Sequence, residues 1–249
     1  MNRFYEKVNI PKNCIVDNTV FQKAFLENAD LLAFDKKIIN EHIKKVTWKY
    51  CLKPDTINIQ PYKSDERDYL EIEIMEVQLN DASKIKRIAE IIMRAIPYPI
   101  LLVLVKESQI QLVTGDMRKN LSDSSKVTVE DFSFTGWIDL NVEDNFRDNL
   151  FTELNISKLS YINFYEMYKD ITAKVNLYNV SKIKGEVVNS ETVSDSDVKA
   201  CYDKIKSIEV EISALKSKVK KAGSIKEKVE LNIQVDNLKK EINILKSKI

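Results

Sequence analysis

Residues 69–105 read YLEIEIMEVQLNDASKIKRIAEIIMRAIPYPILLVLV, and this stretch decides the fold class. Its first part alternates: Leu70, Ile72 and Ile74 point one way, and Glu71, Glu73 and Met75 the other, which is the two-residue period of a strand. After Ser83 the period lengthens, with Ile85, Ile88, Ile92 and Ala95 along one side of a helix. Pro97 and Pro99 stop that helix, because a residue ahead of proline avoids helical dihedrals. The run ILLVLV at 100–105 has no polar position, as expected of a central strand buried on both faces.

Downstream, Glu107, Ser108 and Gln109 turn this strand back into IQLVTG, making a β-hairpin. Further strands are predicted at 126–134 and 136–140, and helices at 143–154 and 160–174. Upstream, residues 1–28 lack a long pattern, and the text changes at Asn28. Ile38, Ile39, Ile43 and Val46 then have helical spacing behind Asp35 as a cap. Pro54 and Asp55 mark a turn before a strand-like TINIQ at 56–60, and 178–196 reads as a polar connector. Strand pairs interrupted by single helices predict an α+β domain over residues 1–190, a mixed sheet with flanking helices.

Residues 191–249 form a second, helical part. Val198, Cys201, Ile205, Ile208, Ile212, Leu215 and Val219 are spaced alternately by three and four, a heptad seam. Leu231, Val235, Leu238, Ile242, Leu245 and Ile249 make another. The first register fails beyond Val219, where it meets Lys226, Asp236 and Lys240. Gly223 suits a left-handed helix end, and Ser224 with Glu227 reads as the capping box of a new helix. An antiparallel coiled-coil hairpin is therefore predicted, with Ile205, Ile208, Ile212, Leu215, Leu231, Val235, Leu238, Ile242 and Leu245 as its interaction residues. Isolated two-helix hairpins are marginal, so docking is expected, on the chain's own residues 1–190, on a second copy or on a partner protein.

Composition closes several routes. Thirty-nine Lys and Arg against 38 Asp and Glu give a net charge of +1, unlike a dedicated polyanion binder. Four glycines leave no GxGxxG and no Walker A loop. One histidine, His42, removes most triads and His-based metal sites and reads as a surface or boundary residue. Cys14, Cys51 and Cys201 are widely spaced without metal-ligand spacing, which suits reduced thiols in a cytoplasmic protein. No apolar run approaches a membrane span.

Two sets of residues carry possible chemistry. Glu71 and Glu73, with Glu76 nearby, are the enzymatic candidates, since carboxylates on a strand hold Mg²⁺ for phosphodiester cleavage. The E-x-K step of a restriction-type nuclease does not follow them, Lys106 is no clear substitute, and the residues read first as the exposed face of a strand. Lys84, Lys86, Arg87, Arg118 and Lys119 are positioned to touch phosphates, but no aromatic platform is visible among them and solvated faces explain them as well. Cys51, following Trp48 and Tyr50, reads as packed rather than nucleophilic. No metal or cofactor is expected in the leading reading.

Three segments carry a resemblance: WKYCLKPDTINI at 48–59, YLEIEIMEV at 69–77 and IAEIIMRAIPYPI at 88–100, with KEKVELN at 226–232 ahead of the last heptads. The chain resembles a bacterial family described only as a domain of unknown function, whose members are encoded beside the helicase and DNA methyltransferase of restriction-modification-like, anti-phage operons. The resemblance implies a non-enzymatic accessory subunit working with such a partner. It supplies no catalytic residues.

Overall fold

The computed structural model describes residues 2–23, 25, 31–120, 127–188 and 195–247. Two compact units divide the chain, Met1–Val175 and Asn176–Ile249. Asn28, Lys126, residues 189–194 of the expected connector and Ile249 lie outside the described residues.

The first unit begins with α1 (Asn2–Val8), a 3-10 turn at Lys12–Cys14 and β1 (Ile15–Val20), where irregular chain was expected. Phe4 and Val8, four apart, are buried on one side of α1, and Phe4 meets Phe151 edge-on at 5.0 Å. β1 is an edge strand with most of its side chains in water, so no hydrophobic alternation announces it.

α2 (Ala33–His42) ends earlier than its apolar spacing suggested, and Ile43 and Val46 belong to β2 (Ile43–Leu52). The β-branched and aromatic run Val46, Thr47, Trp48, Tyr50 favours the strand. Its alternation is concealed because the register slips at Lys49: Trp48 pairs with Met75, but Tyr50 pairs with Ile74. The segment TINIQ is not a strand. Pro54–Ile57 form a helical turn, α3, with proline at its start and Asn58 closing it in the left-handed region at φ 55°.

β3 (Tyr62–Lys63) and β4 (Asp68–Tyr69) make a small hairpin. Next come β5 (Ile72–Leu79), α4 (Ile85–Ala95), β6 (Ile100–Lys106), β7 (Gln109–Lys119), β8 (Val127–Phe134), β9 (Ile138–Asp139), α5 (Asn145–Glu153) and α6 (Phe164–Lys184). The seven-stranded sheet has the order β1-β2-β5-β6-β7-β8, with β9 also beside β7. It is mixed: α4 connects the parallel neighbours β5 and β6, and the other pairs are antiparallel. Side chains of both parities are buried on β5, so the expected exposed acidic face does not exist: Glu73 and Glu76 are inside.

α6 continues ten residues past its expected end and stops where Gly185 takes φ 83°. Asn176, Leu177, Tyr178, Asn179, Val180 and Ser181 are all buried, so no polar stripe marks this part as a helix.

In the second unit Leu177, Val180, Val188 and Val198 form one apolar cluster, with Tyr202 against it. α7 (Asp195–Lys221) and α8 (Ile225–Lys246) pack antiparallel, as the heptads predicted. Ile208, Ile212, Leu215 and Val235 form their common core, lined by Leu231, Leu238, Ile242 and Leu245, and Ile205 is fully buried. Pairs near the open end fix the direction: the Cys201 thiol is 3.5 Å from the Leu245 carbonyl, and Lys204 meets Glu241 at 2.9 Å. Ser224 caps α8, its hydroxyl accepting from the Glu227 N–H at 3.2 Å. Gly223 does not adopt the left-handed conformation expected of it.

Candidate functional site

The chemistry-bearing residues of the first unit meet on neighbouring strands. Cys51 of β2 stands directly opposite Glu73 of β5. Trp48 and Cys51 are an odd number of residues apart and in a regular strand would face opposite ways. The slip at Lys49 brings both to the face of Glu73: the Trp48 indole N–H donates to Glu73 Oε2, and the Cys51 thiol donates to Glu73 Oε1 at 3.3 Å. Lys49 itself points away and pairs with Asp17 at 2.6 Å.

Glu71, just before β5, is half-buried and completes the group. One donor atom from each of Cys51, Glu71 and Glu73 lies within 4.8 Å of the others. Glu73 is only 2% exposed and Cys51 3%. Burial pushes the Glu73 carboxyl up to about 7, with the neighbouring Glu71 adding to the rise and the Cys51 and Trp48 hydrogen bonds opposing it. Burial and the adjacent Glu73 push the Cys51 thiol well above its ordinary range. As it stands, the thiol is protonated and unreactive, as a packed cysteine is. No Lys or Arg is ion-paired with Glu71 or Glu73 among the described residues.

Glu76 does not join this group. Three residues from Glu73, it occupies the other face of β5, where it accepts from the Tyr5 hydroxyl at 3.0 Å and from Gln78 Nε2 at 3.3 Å. Lys106 is at the far end of β6, since Glu73 is level with Ile100, and its amine donates to the Asn80 carbonyl at 2.6 Å.

The basic residues are largely occupied with protein partners. Arg87 grips the buried Asp35 through two hydrogen bonds of 2.7 Å and reaches Glu90 at 2.7 Å. Lys84 lies over the Phe34 ring at 6.0 Å, and Lys86 is exposed. Arg118 pairs with Asp116 at 3.1 Å and Lys119 with Asp68 at 3.1 Å. An aromatic group not legible in the sequence does gather near them. Tyr62 stacks on Tyr165 at 4.8 Å, Tyr69 meets Tyr165 edge-on, and Arg67 over Tyr165 shares Asp116 with Arg118. His42, the last residue of α2, sits at a boundary beside Asp81.

On the hairpin, the seam residues are turned toward each other. Val210 of α7, and Ile225, Val229, Ile233 and Ile244 of α8, are exposed. At 100° per residue these four α8 positions fall opposite its seam.

A family model matches residues 8–242, taking in the sheet, the thiol–carboxylate group and most of the hairpin. The chain belongs to the DUF4391 family. DUF4391 is described as a domain of unknown function. No curated protein and no solved structure matches this DUF4391 chain. Among its described residues, no helix is long and apolar enough to cross a membrane.

Trp48 and Cys51 are the site residues that sequence reasoning passed over as chemistry. Only the slip at Lys49 puts them beside Glu73, and a one-residue slip leaves no mark in the composition of a strand.

Proposed function

We propose that this DUF4391 chain is a non-enzymatic accessory subunit that docks on a protein partner through its C-terminal hairpin. The observation that carries this reading is the aliphatic stripe on the outside of α8, where Ile225 is 82%, Val229 52% and Ile233 54% exposed. The seam residues hold the arms together, and a second apolar face beyond that need marks a surface for another molecule. The partner class follows from the resemblance: the helicase or DNA methyltransferase of a restriction-modification-like, anti-phage operon. Light-scattering mass of the chain alone and after co-expression with such neighbours tests it. A stable complex, lost in Val229→Asp/Ile233→Asp while the helical circular dichroism stays, supports the reading. A monomer that ignores its neighbours overturns it.

The convergence of Glu71 and Glu73 favours a second reading, a metal-dependent nuclease. It predicts Mg²⁺- or Mn²⁺-dependent degradation of DNA or RNA that disappears in Glu71→Gln. The absence of a lysine paired with these carboxylates among the described residues, and the placement of Glu76 on the other face, weigh against it.

A further inference from the structure

We propose that Cys51, Glu71 and Glu73 form a binding site for one thiophilic divalent cation of the Zn²⁺ class. The set differs from a surface cluster of acids in three respects. Its donors are mixed, one sulfur and two carboxylates, contributed by β2, by the adjacent β5 and by the residue just ahead of β5. The Cys51 sulfur and Glu73 Oε1 are already 3.3 Å apart. Donors around a tetrahedral zinc, with bonds of about 2.0–2.3 Å, are separated by roughly 3.5 Å. Glu71, the outermost and half-buried member, moves least buried mass when it closes the remaining distance.

The second respect is the support around Glu73. Its other oxygen, Oε2, is held by the Trp48 indole N–H, which leaves Oε1 turned to the thiol. Metal-binding carboxylates are oriented by such outer hydrogen bonds. The third is charge. Asp35, Arg147 and Lys174, also buried in this unit, meet an opposite charge in Arg87, Asp148 and Asp170, and the buried Glu76 takes hydrogen bonds from Tyr5 and Gln78. Glu73 has instead a second carboxylate and a thiol, and no cationic side chain is paired with either glutamate among the described residues. A dication supplies the missing charge, and its binding releases the thiol proton and the carboxyl proton to solvent.

The donor set also selects the cation. Two carboxylates alone suit Mg²⁺ or Ca²⁺, but a thiolate among three protein donors favours zinc over these hard ions. Three protein donors leave the fourth position to water, on the solvent side where Glu71 lies.

The full chain with Co²⁺ as a spectroscopic probe gives the test. We expect one Co²⁺ per chain with a sulfur-to-metal charge-transfer band, displaced by one equivalent of Zn²⁺ and unaffected by excess Mg²⁺. Cys51→Ser removes the band, whereas Cys14→Ser and Cys201→Ser retain it. Glu71→Gln, at a half-buried position that tolerates an amide, loses tight Zn²⁺ binding, and Trp48→Phe weakens it about ten- to a hundredfold. Failure of the folded chain to bind Zn²⁺ or Co²⁺ stoichiometrically overturns the site, as does a band that survives Cys51→Ser. If Cys51→Ser does not fold, a folded Glu71→Gln with undiminished zinc affinity overturns it equally. The proposal shares two residues with the nuclease reading but needs no nucleic acid. Zinc binding without cleavage removes only that reading, and Mg²⁺-dependent cleavage without zinc binding removes only this one.

Discussion

Cys51 and Glu73 face each other across the β2–β5 ladder with the thiol 3.3 Å from the carboxyl, both almost wholly buried. The pair exists because β2 slips by one residue at Lys49. Without that slip, Cys51 would fall on the face of Glu76 and Tyr5, and Trp48 would no longer share a face with Cys51. One irregularity of the sheet therefore assembles a buried polar group in the first unit.

Trp48→Phe tests how much that assembly depends on the indole. The smaller ring keeps the apolar contact but leaves Glu73 Oε2 without its donor, which costs about 1–3 kcal/mol for a buried acceptor. The space left behind is common to any background, so a double-mutant cycle with Glu73→Met isolates the hydrogen bond. Urea unfolding should return a coupling on the order of 1 kcal/mol or more. A coupling of zero would mean that the indole only packs.

Asp35 and Arg87 give a pH signature. The Arg87 hydrogen bonds, helped by the Leu32 N–H, hold the buried Asp35 carboxyl below the usual carboxylate range, against the opposing effect of burial. A depressed pKa contributes stability above the unfolded-state value near 3.9, and that contribution is lost as pH falls through the folded-state value. Arg87→Met should destabilise the chain at neutral pH by about 2–4 kcal/mol, because a buried carboxylate is left unpaired while the partly exposed arginine limits the effect. The gap to the parent should shrink as pH falls, beginning as the unpaired, buried Asp35 of the variant takes up a proton. It should end once pH has passed below the depressed value of the parent's carboxyl, where Asp35 is neutral in both. A gap that stays constant down to pH 2 would show that the pair contributes nothing through charge.

Gly115 on β7 is a position of close approach. A Cβ added there would lie 2.7 Å from Val129 Cγ1 and 3.3 Å from a ring carbon of Phe132, both on β8. Its N–H also donates to the Tyr168 hydroxyl at 3.1 Å, so backing away from β8 strains that bond. Gly115→Ala should cost about 1–3 kcal/mol, the range for overpacking a tight interior. Thermal unfolding checks it, and Val129→Ala in the same chain should recover part of the loss.

The sequence disclosed elements whose side chains divide between core and water, or that are apolar without a break. α4 shows a one-sided stripe, β6 is apolar from Ile100 to Val105, and the hairpin seams keep their heptads, so all three were predicted with their type and place. Reading failed where mixed polar and apolar residues share one burial or local geometry overrides spacing. Residues 175–181 of α6 are buried on nearly every side, β1 on almost none, and β2 hides its alternation at Lys49. The glutamates were legible as a group, but their burial was not, because a strand alternating apolar and acidic residues looks half-exposed until both faces are covered. Tyr62, Tyr69 and Tyr165 come from separate elements and meet only in the folded unit.

The hairpin offers a final test, in which two optical signals report on different parts of the chain. Both tryptophans, Trp48 and Trp137, belong to the first unit, so fluorescence follows the sheet, whereas α7 and α8 contribute heavily to the far-ultraviolet circular dichroism. Leu238 packs against the Ile208, Ile212, Leu215 and Val235 core. Leu238→Asp places an unpaired carboxylate in that seam, a change that costs several kcal/mol when the charge is not relieved. Ser224→Ala removes only the cap of α8 and should cost about 1 kcal/mol. In urea, the dichroism transition should therefore move to lower concentration, far in Leu238→Asp and slightly in Ser224→Ala, while the fluorescence transition stays where it was. Equal movement of both signals would mean that the two units unfold as one, and that seam variants cannot be used to separate docking from folding.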